Sequence, residues 1–152
     1  MFYFLPEDFE DLNDQIERIR EKMKEFGREA GESCQEGAET WHDNFAFEES
    51  QRQQYMWSKR LRELIHIRDN ACVIQPSPQG DKASIGRVVT IRDVTTGETQ
   101  TFKIGSYMIF GEREGVSYNA PLARTLIGSE VDDERTGKIG GRQKTFRILK
   151  IE

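Results

Sequence analysis

Between Glu29 and Gln51 the chain carries seven carboxylates (Glu29, Glu32, Glu36, Glu39, Asp43, Glu48 and Glu49) and neither lysine nor arginine. Such oxygen-rich runs suit hard divalent cations. Mg2+ is usually held by one or two carboxylates, with water and phosphate oxygens completing its shell. Two such ions about 3.5–4 Å apart can stabilise both the attacking and the leaving oxygen of a phosphodiester displacement. The same composition also describes an ordinary solvated acidic loop, so the run gains chemical meaning only from whatever positions it. His42, inside the run, offers a base or ligand nitrogen, although a single histidine on an exposed loop is more often incidental. His66 sits among Leu64, Ile65 and Ile67 and reads as structural. Cys34 and Cys72 are the only cysteines, too far apart for a CxxC knuckle and too few for a disulfide framework; reduced, unpaired thiols are expected.

The elements flanking the run are helical. After Pro6, apolar residues recur at Phe9, Leu12, Ile16, Ile19, Met23, Phe26 and Ala30, in alternating steps of 3 and 4. That is the stripe of a heptad repeat. Pro6 suits a first helical position, and Glu7, Asp8, Glu10 and Asp11 complement the positive end of the helix dipole. The pattern predicts that this helix stops at Gly31. A second helix is expected over 43–69, free of Gly and Pro, with Trp57, Leu61, Leu64 and Ile65 on its apolar face and a noisier middle around Gln51, Gln54 and Ser58. Two long helices joined by a short loop pack antiparallel. Helices of about 25–30 residues extend roughly 40–45 Å at 1.5 Å per residue, which would make an arm with the acidic run at its tip.

From residue 75 the character changes. Gln75-Pro76-Ser77-Pro78-Gln79-Gly80-Asp81 breaks the helical pattern and reads as a linker. Val88, Thr90 and Arg92 then alternate against Val89, Ile91 and Asp93, Thr95–Glu98 makes a turn, and Thr99–Ile104 pairs back as a strand. A second hairpin is expected from Arg135–Ile139, a Gly140-Gly141 turn and Lys144–Ile151. Between the hairpins a short helix starts at Pro121, capped by Asn119 or Ala120, and ends at Gly128. The expected fold is α+β: an antiparallel helical coiled-coil hairpin over 1–75, a linker over 76–85, and a twisted antiparallel sheet with one short helix over 86–152.

Charge follows the same division. The chain holds 27 Asp/Glu against 22 Lys/Arg, a net charge of −5. Residues 1–74 carry −7 of it and residues 75–152 carry +2. A net negative chain argues against general affinity for a nucleic-acid backbone. The opening Met1-Phe2-Tyr3-Phe4-Leu5 is too short for a signal core and lacks a basic flank. No apolar run approaches a membrane span, so no membrane partner and a cytoplasmic location are expected.

Three segments carry a resemblance. Asn119-Ala120-Pro121-Leu122-Ala123-Arg124-Thr125-Leu126-Ile127-Gly128-Ser129-Glu130 resembles the GreA/GreB signature Asn-Ser-Pro-(apolar)-Ala-Arg-x-Leu-(apolar)-Gly-Lys-Glu. Asp43-Asn44-Phe45-Ala46-Phe47 sits where that family carries Glu-Asn-Ala-Glu-Tyr. The run from Gln53 through Arg60-Leu61-Arg62-Glu63-Leu64 to Asn70-Ala71-Cys72-Val73-Ile74 looks like the family's second helix and its ending. The likeness implies an arm that enters the secondary channel of bacterial RNA polymerase, anchored by a C-terminal domain like that of the FK506-binding proteins. It further implies a monomer that binds no cofactor alone and stimulates the polymerase's own cleavage of a backtracked RNA 3′ end, sharing an Mg2+ with the polymerase.

Carried onto this chain, the likeness makes Asp43 and Glu39 the candidate catalytic and metal-holding residues, with Glu36, Thr40, Trp41, His42 and Asn44 forming the rest of the tip. Asn119, Ala120, Pro121 and Arg124 become candidates for docking on the channel rim; Arg52 and Lys59, basic residues of the second helix, are candidates for contact with the nascent RNA, although the acids alternating nearby suit pairing on a solvated face at least as well. There is one departure. The family's cleavage factors place an Asp where this chain has Thr40, which cannot replace a charged ligand; Glu39 or Glu36 would have to substitute. The alternative is therefore a channel regulator that occupies the same place without stimulating cleavage. A prolyl isomerase, suggested by the fold analogy alone, would need an aromatic-lined pocket built from Phe102, Tyr107, Phe110, Tyr118 and Phe146.

Overall fold

The structure, a computed structural model, describes residues 1–35, 44–77 and 79–152, and for 29–35 and 44–46 the backbone only. In chain order the elements are β1 (Phe2–Phe4), α1 (Pro6–Gln35), α2 (Asn44–Asp69), β2 (Ala71–Val73), β3 (Val88–Asp93), β4 (Thr99–Gly105), β5 (Val116–Ser117), α3 (Pro121–Leu126), β6 (Glu134–Ile139) and β7 (Arg142–Ile151). They form two compact units: Met1–Glu10 with Ala71–Glu152, and Asp11–Asn70.

The helical unit follows its sequence pattern. Leu12, Ile16 and Ile19 are buried on α1, and Met23 and Phe26, further along the same stripe, are half-buried. On α2 the buried and half-buried positions include Ser50, Gln54, Trp57, Leu61 and Leu64, again in steps of 3 and 4. Of the polar residues that blur the pattern, Gln54 and Ser58 are half-buried, whereas Gln51 is exposed. Polar residues at such positions lower the stability of a helical pair. Across the hairpin the Lys22 ammonium lies 4.4 Å from the centroid of the Trp57 ring, a cation–π contact. Helix α1 does not stop at Gly31 but continues to Gln35. A lone glycine costs only about 1 kcal/mol relative to alanine inside a helix and is no terminator without a second breaker.

In the other unit, β3 is the centre of a five-stranded sheet of order β5-β4-β3-β7-β6. Strand β3 pairs antiparallel with β4 and β7, and β7 pairs antiparallel with β6. The outer pair, β4 with β5, is parallel, so the sheet is mixed and not purely antiparallel as expected. Parallel pairing needs a long connection, and residues 106–115 supply it. The Gly140-Gly141 turn joins β6 to β7 with φ of 61° and 80°, the left-handed pair that a two-residue hairpin turn demands. Alternation holds on β3, where Val89, Ile91 and Asp93 are buried and Arg92 is exposed. With Ala83, Ile104, Ala123, Leu126, Phe146 and Ile148, the two apolar residues of β3 make the core. Helix α3 closes over Gly137 of β6 so tightly that a Cβ there would stand 2.1 Å from the Thr125 hydroxyl.

Two boundaries differ from expectation. Segment 76–85 is not a free linker: Ala83 is buried, its N–H bonds the Ser129 carbonyl at 2.8 Å, and its own carbonyl accepts from Gly128 at 2.9 Å. Met1–Glu10 and Ala71–Ile74 fall in the sheet-bearing unit, outside the helical one. The cause is a second, two-stranded sheet in which β1 runs parallel to β2, with Phe2 opposite Ala71 and Phe4 opposite Val73. The aromatic rings of β1 pack locally as well: Phe2 lies 4.5 Å from Tyr107 and Tyr3 lies 5.9 Å from Tyr118, centroid to centroid.

Candidate functional site

Glu36, Glu39, Thr40, Trp41, His42 and Asp43 lie outside the described residues, and of Asn44 only the backbone, the first residue of α2, is described. What the structure does supply is the pair of elements that carries them. Helices α1 and α2, of 30 and 26 residues, extend about 45 and 39 Å at 1.5 Å per residue. Among the described residues no group of three or more His, Cys, Asp or Glu side chains is placed to hold a metal ion. Nor is any helix there long and apolar enough to cross a membrane.

On α2 the candidate RNA-contacting cations stand on an exposed face. The Arg52 guanidinium pairs with Glu49 one turn back at 3.4 Å, and Arg60 pairs with Glu63 at 3.7 Å. Such i,i+3 surface pairs contribute a few tenths of a kcal/mol. They leave Arg52 in solvent, and Lys59 is exposed beside them.

The docking candidates come together at α3. Ala120 is the N-cap, in extended conformation and without a side-chain cap bond, and Pro121 is the first helical residue. Asn119 does not cap the helix; its own N–H donates to the Ser117 hydroxyl at 3.2 Å. With Ala123 and Leu126 turned into the core, Asn119, Pro121 and Arg124 are left exposed, and Ile127 and Val131 add partly exposed apolar surface just beyond. A face of one arginine, one proline and flanking aliphatics is chemically suited to a protein surface. Four of the five aromatic residues that an isomerase pocket would need are engaged elsewhere: Phe146 is buried in the core, Phe102 and Tyr118 pack against it, and Tyr107 packs at a tilt against Phe2.

No residue pattern announces the contact at the base of α1. Asp8 is 5% exposed and Ser106 fully buried, 98 residues apart in sequence. The Ser106 hydroxyl donates to Asp8 Oδ2 at 2.5 Å and accepts the Leu5 N–H at 2.8 Å. A carboxylate in the first turn thereby satisfies the residue just before the helix through a relaying hydroxyl, a long-range version of the reciprocal N-terminal cap. Around it, Glu7 pairs with Lys103 at 3.5 Å and Asp8 meets Arg113 at 4.0 Å, in a charged cleft of about 210 Å³. The arrangement fixes the first turn of α1 to the sheet-bearing unit. Only the acidic first turn was visible in sequence; its partner belongs to a segment without pattern.

Comparison with known proteins gives these elements a family. Residues 77–152 match the family model described as "Transcription elongation factor, GreA/GreB, C-term". A transcription elongation factor GreA of Legionella pneumophila (strain Corby) is 32% identical over 118 residues, covering 72% of this chain and 71% of its own. The GreA of Thermotoga neapolitana is 28% identical over 150 residues, covering 95% of this chain and 93% of its own. The solved structure of Thermus aquaticus Gfh1 aligns over 99% of this chain and 97% of its own, at 21% identity and a TM-score of 0.46; no residue role follows from that likeness. The chain belongs to the GreA/GreB family of transcription elongation factors.

Proposed function

We propose that the protein binds bacterial RNA polymerase, enters its secondary channel with the helical hairpin, and stimulates the polymerase's own cleavage of backtracked RNA. The observation that carries this reading is the joint one of family membership and charge placement: from Glu29 to Gln51 there are seven carboxylates and no lysine or arginine, three of them in the segment between the two long helices and four on the adjoining helix ends. In this reading Asp43, assisted by Glu39, supplies oxygen ligands to an Mg2+ shared with the polymerase and orients the attacking water. The ion's part is to stabilise the oxygens that gain negative charge in the displacement. The chain itself is an activator, with no complete active site of its own, and it works as a monomer. The exposed Asn119, Pro121 and Arg124, with Ala120 beside them, serve as its dock on the channel rim, and Arg52 and Lys59 lie along the path to the RNA 3′ end.

A second reading has a specific observation behind it. Thr40 stands where the family's cleavage factors place an aspartate, which favours a regulator that fills the channel without promoting cleavage. Adding the protein to backtracked polymerase complexes with 3′-labelled RNA separates the two. Release of a short 3′ fragment supports the cleavage factor; an intact transcript, together with slowed nucleotide addition, supports the regulator.

A further inference from the structure

Packing along the helical hairpin is uneven. The described apolar side chains of this unit that are buried all lie in its inner half: Leu12, Ile16 and Ile19 on α1 and Leu64 on α2. Next outward, Met23, Trp57 and Leu61 are half-buried, and the Lys22 ammonium sits over the Trp57 ring at 4.4 Å. Beyond that contact the pattern turns inside out. Ser50 and Gln54, both polar, are half-buried, whereas Phe47, Tyr55 and Met56 are each at least half exposed. On α1 the outermost described residue of the apolar stripe is Phe26, itself only half-buried.

Local propensity weakens in the same place. Both glycines of α1, Gly27 and Gly31, belong to its outer part, and glycine is the poorest helix former after proline. A helix in a protein is held by the packing of its apolar face more than by propensity. The inner half has four buried aliphatic side chains for that purpose, and the outer half has none among the described residues. Regions with few buried apolar contacts open at lower free energy than their surroundings, and they do so in contiguous cooperative units.

We propose that the outer hairpin, from the Lys22–Trp57 contact outward, opens and closes as one unit while the inner hairpin stays packed. The step in burial between Ile19 and Met23 on α1, and between Leu64 and Leu61 on α2, sets the boundary. Once apart, segments of this length do not hold a helix by themselves in water, so opening exposes their amides. Phe26 favours the closed form and Gln54 opposes it. Only the closed pair holds the two helix ends together, so a partner that takes the closed arm binds with an affinity scaled by the closed fraction. That last consequence rests on the polymerase reading; the opening does not.

The test is amide hydrogen exchange of the full chain, read residue by residue by NMR. Amides of Glu48–Met56 and Lys22–Arg28 are expected to share one opening equilibrium, and those of Leu61–Arg68 and Asp14–Arg20 to exchange at least about tenfold more slowly. Gln54→Leu is expected to slow the outer set about tenfold and leave the inner set unchanged. Phe26→Ala is expected to speed the outer set about tenfold and to weaken binding to RNA polymerase at least about threefold. A smooth gradient of protection from Glu48 to Arg68 without a step near Trp57 overturns the proposal, as does equal acceleration of inner and outer amides by Phe26→Ala. Equal polymerase binding by the parent and Phe26→Ala overturns the link to affinity. A parent that fails to bind polymerase counts against the polymerase reading alone, and the exchange step still decides the opening.

Discussion

The two units of the molecule use their sequences in opposite ways. In the sheet-bearing unit, Phe4, Leu5, Ala83, Val89, Ile91, Ile104, Ala123, Leu126, Phe146 and Ile148 are buried, and polar groups such as Asp8 and Ser106 are buried in partnership. In the helical unit the described buried apolar residues are Leu12, Ile16, Ile19 and Leu64, while Phe47, Tyr55 and Met56 stay exposed. One unit is built for a specific packed shape; the other is two helices with a thin apolar seam and a heavily charged exterior. The difference teaches where each kind of work can be done. A surface that must hold its geometry belongs on the first, whereas the second relies on two helices with few buried side chains.

Several substitutions would break or sharpen that contrast. The largest effect is expected from Leu126→Ala, which empties a fully buried position beneath α3 and should cost about 2–5 kcal/mol, read from the urea midpoint of the full chain. A cost below 1 kcal/mol would mean that the core closes around the gap and is less specific than described. Next comes Gly137→Ala. The new methyl meets the Thr125 hydroxyl at 2.1 Å, its methyl at 2.9 Å and its Cβ at 3.1 Å, so no rotation of the threonine relieves it, and a loss of about 1–3 kcal/mol is expected. Pairing it with Thr125→Ala should recover most of the loss, and failure to do so would place the strain elsewhere.

Ser106→Ala removes the acceptor of the Leu5 N–H and the donor to Asp8 together, for an expected cost of about 1–3 kcal/mol. Amide hydrogen exchange should show the first turn of α1 opening more readily; unchanged protection there would remove the relay from the account. The smallest effect is expected from Lys22→Ala, which deletes the contact with the Trp57 ring and should cost about 0.5–1 kcal/mol, visible as a change in tryptophan fluorescence. If Lys22→Ala proved as costly as Leu126→Ala, the distinction drawn between the units would fail.

How much of this was legible in the sequence depends on how local each feature is. The α1 stripe from Phe9 to Phe26, the β3–β4 hairpin with its Thr95–Glu98 turn, the Gly140-Gly141 hairpin and the Pro121 helix start are all written in neighbouring residues, and the structure holds each of them. Features that need a distant partner were not legible. The pairing of Phe2–Phe4 with Ala71–Val73 spans the whole helical segment, β3 finds β7 across more than fifty residues, and Asp8 meets Ser106. Short strands such as β1 and β5 carry too few residues for a period to register. The linker expectation failed at Ala83 for a related reason: Pro and Gly mark irregular backbone, but they do not say whether that backbone packs. Of the candidate site, the position of Pro121 and Arg124 on a short helix was readable because a helix start has its own signature, while their candidacy for docking came from family likeness. The tip residues were reached only through composition and family likeness.

The most direct measurement compares the parent with Asp43→Ala in backtracked polymerase complexes, following RNA 3′-end shortening and binding to the polymerase in the same samples. The account expects the parent to release 3′ fragments and the variant to bind equally well yet leave cleavage at the polymerase's unassisted rate. Cleavage by Asp43→Ala at the parent's rate would contradict it.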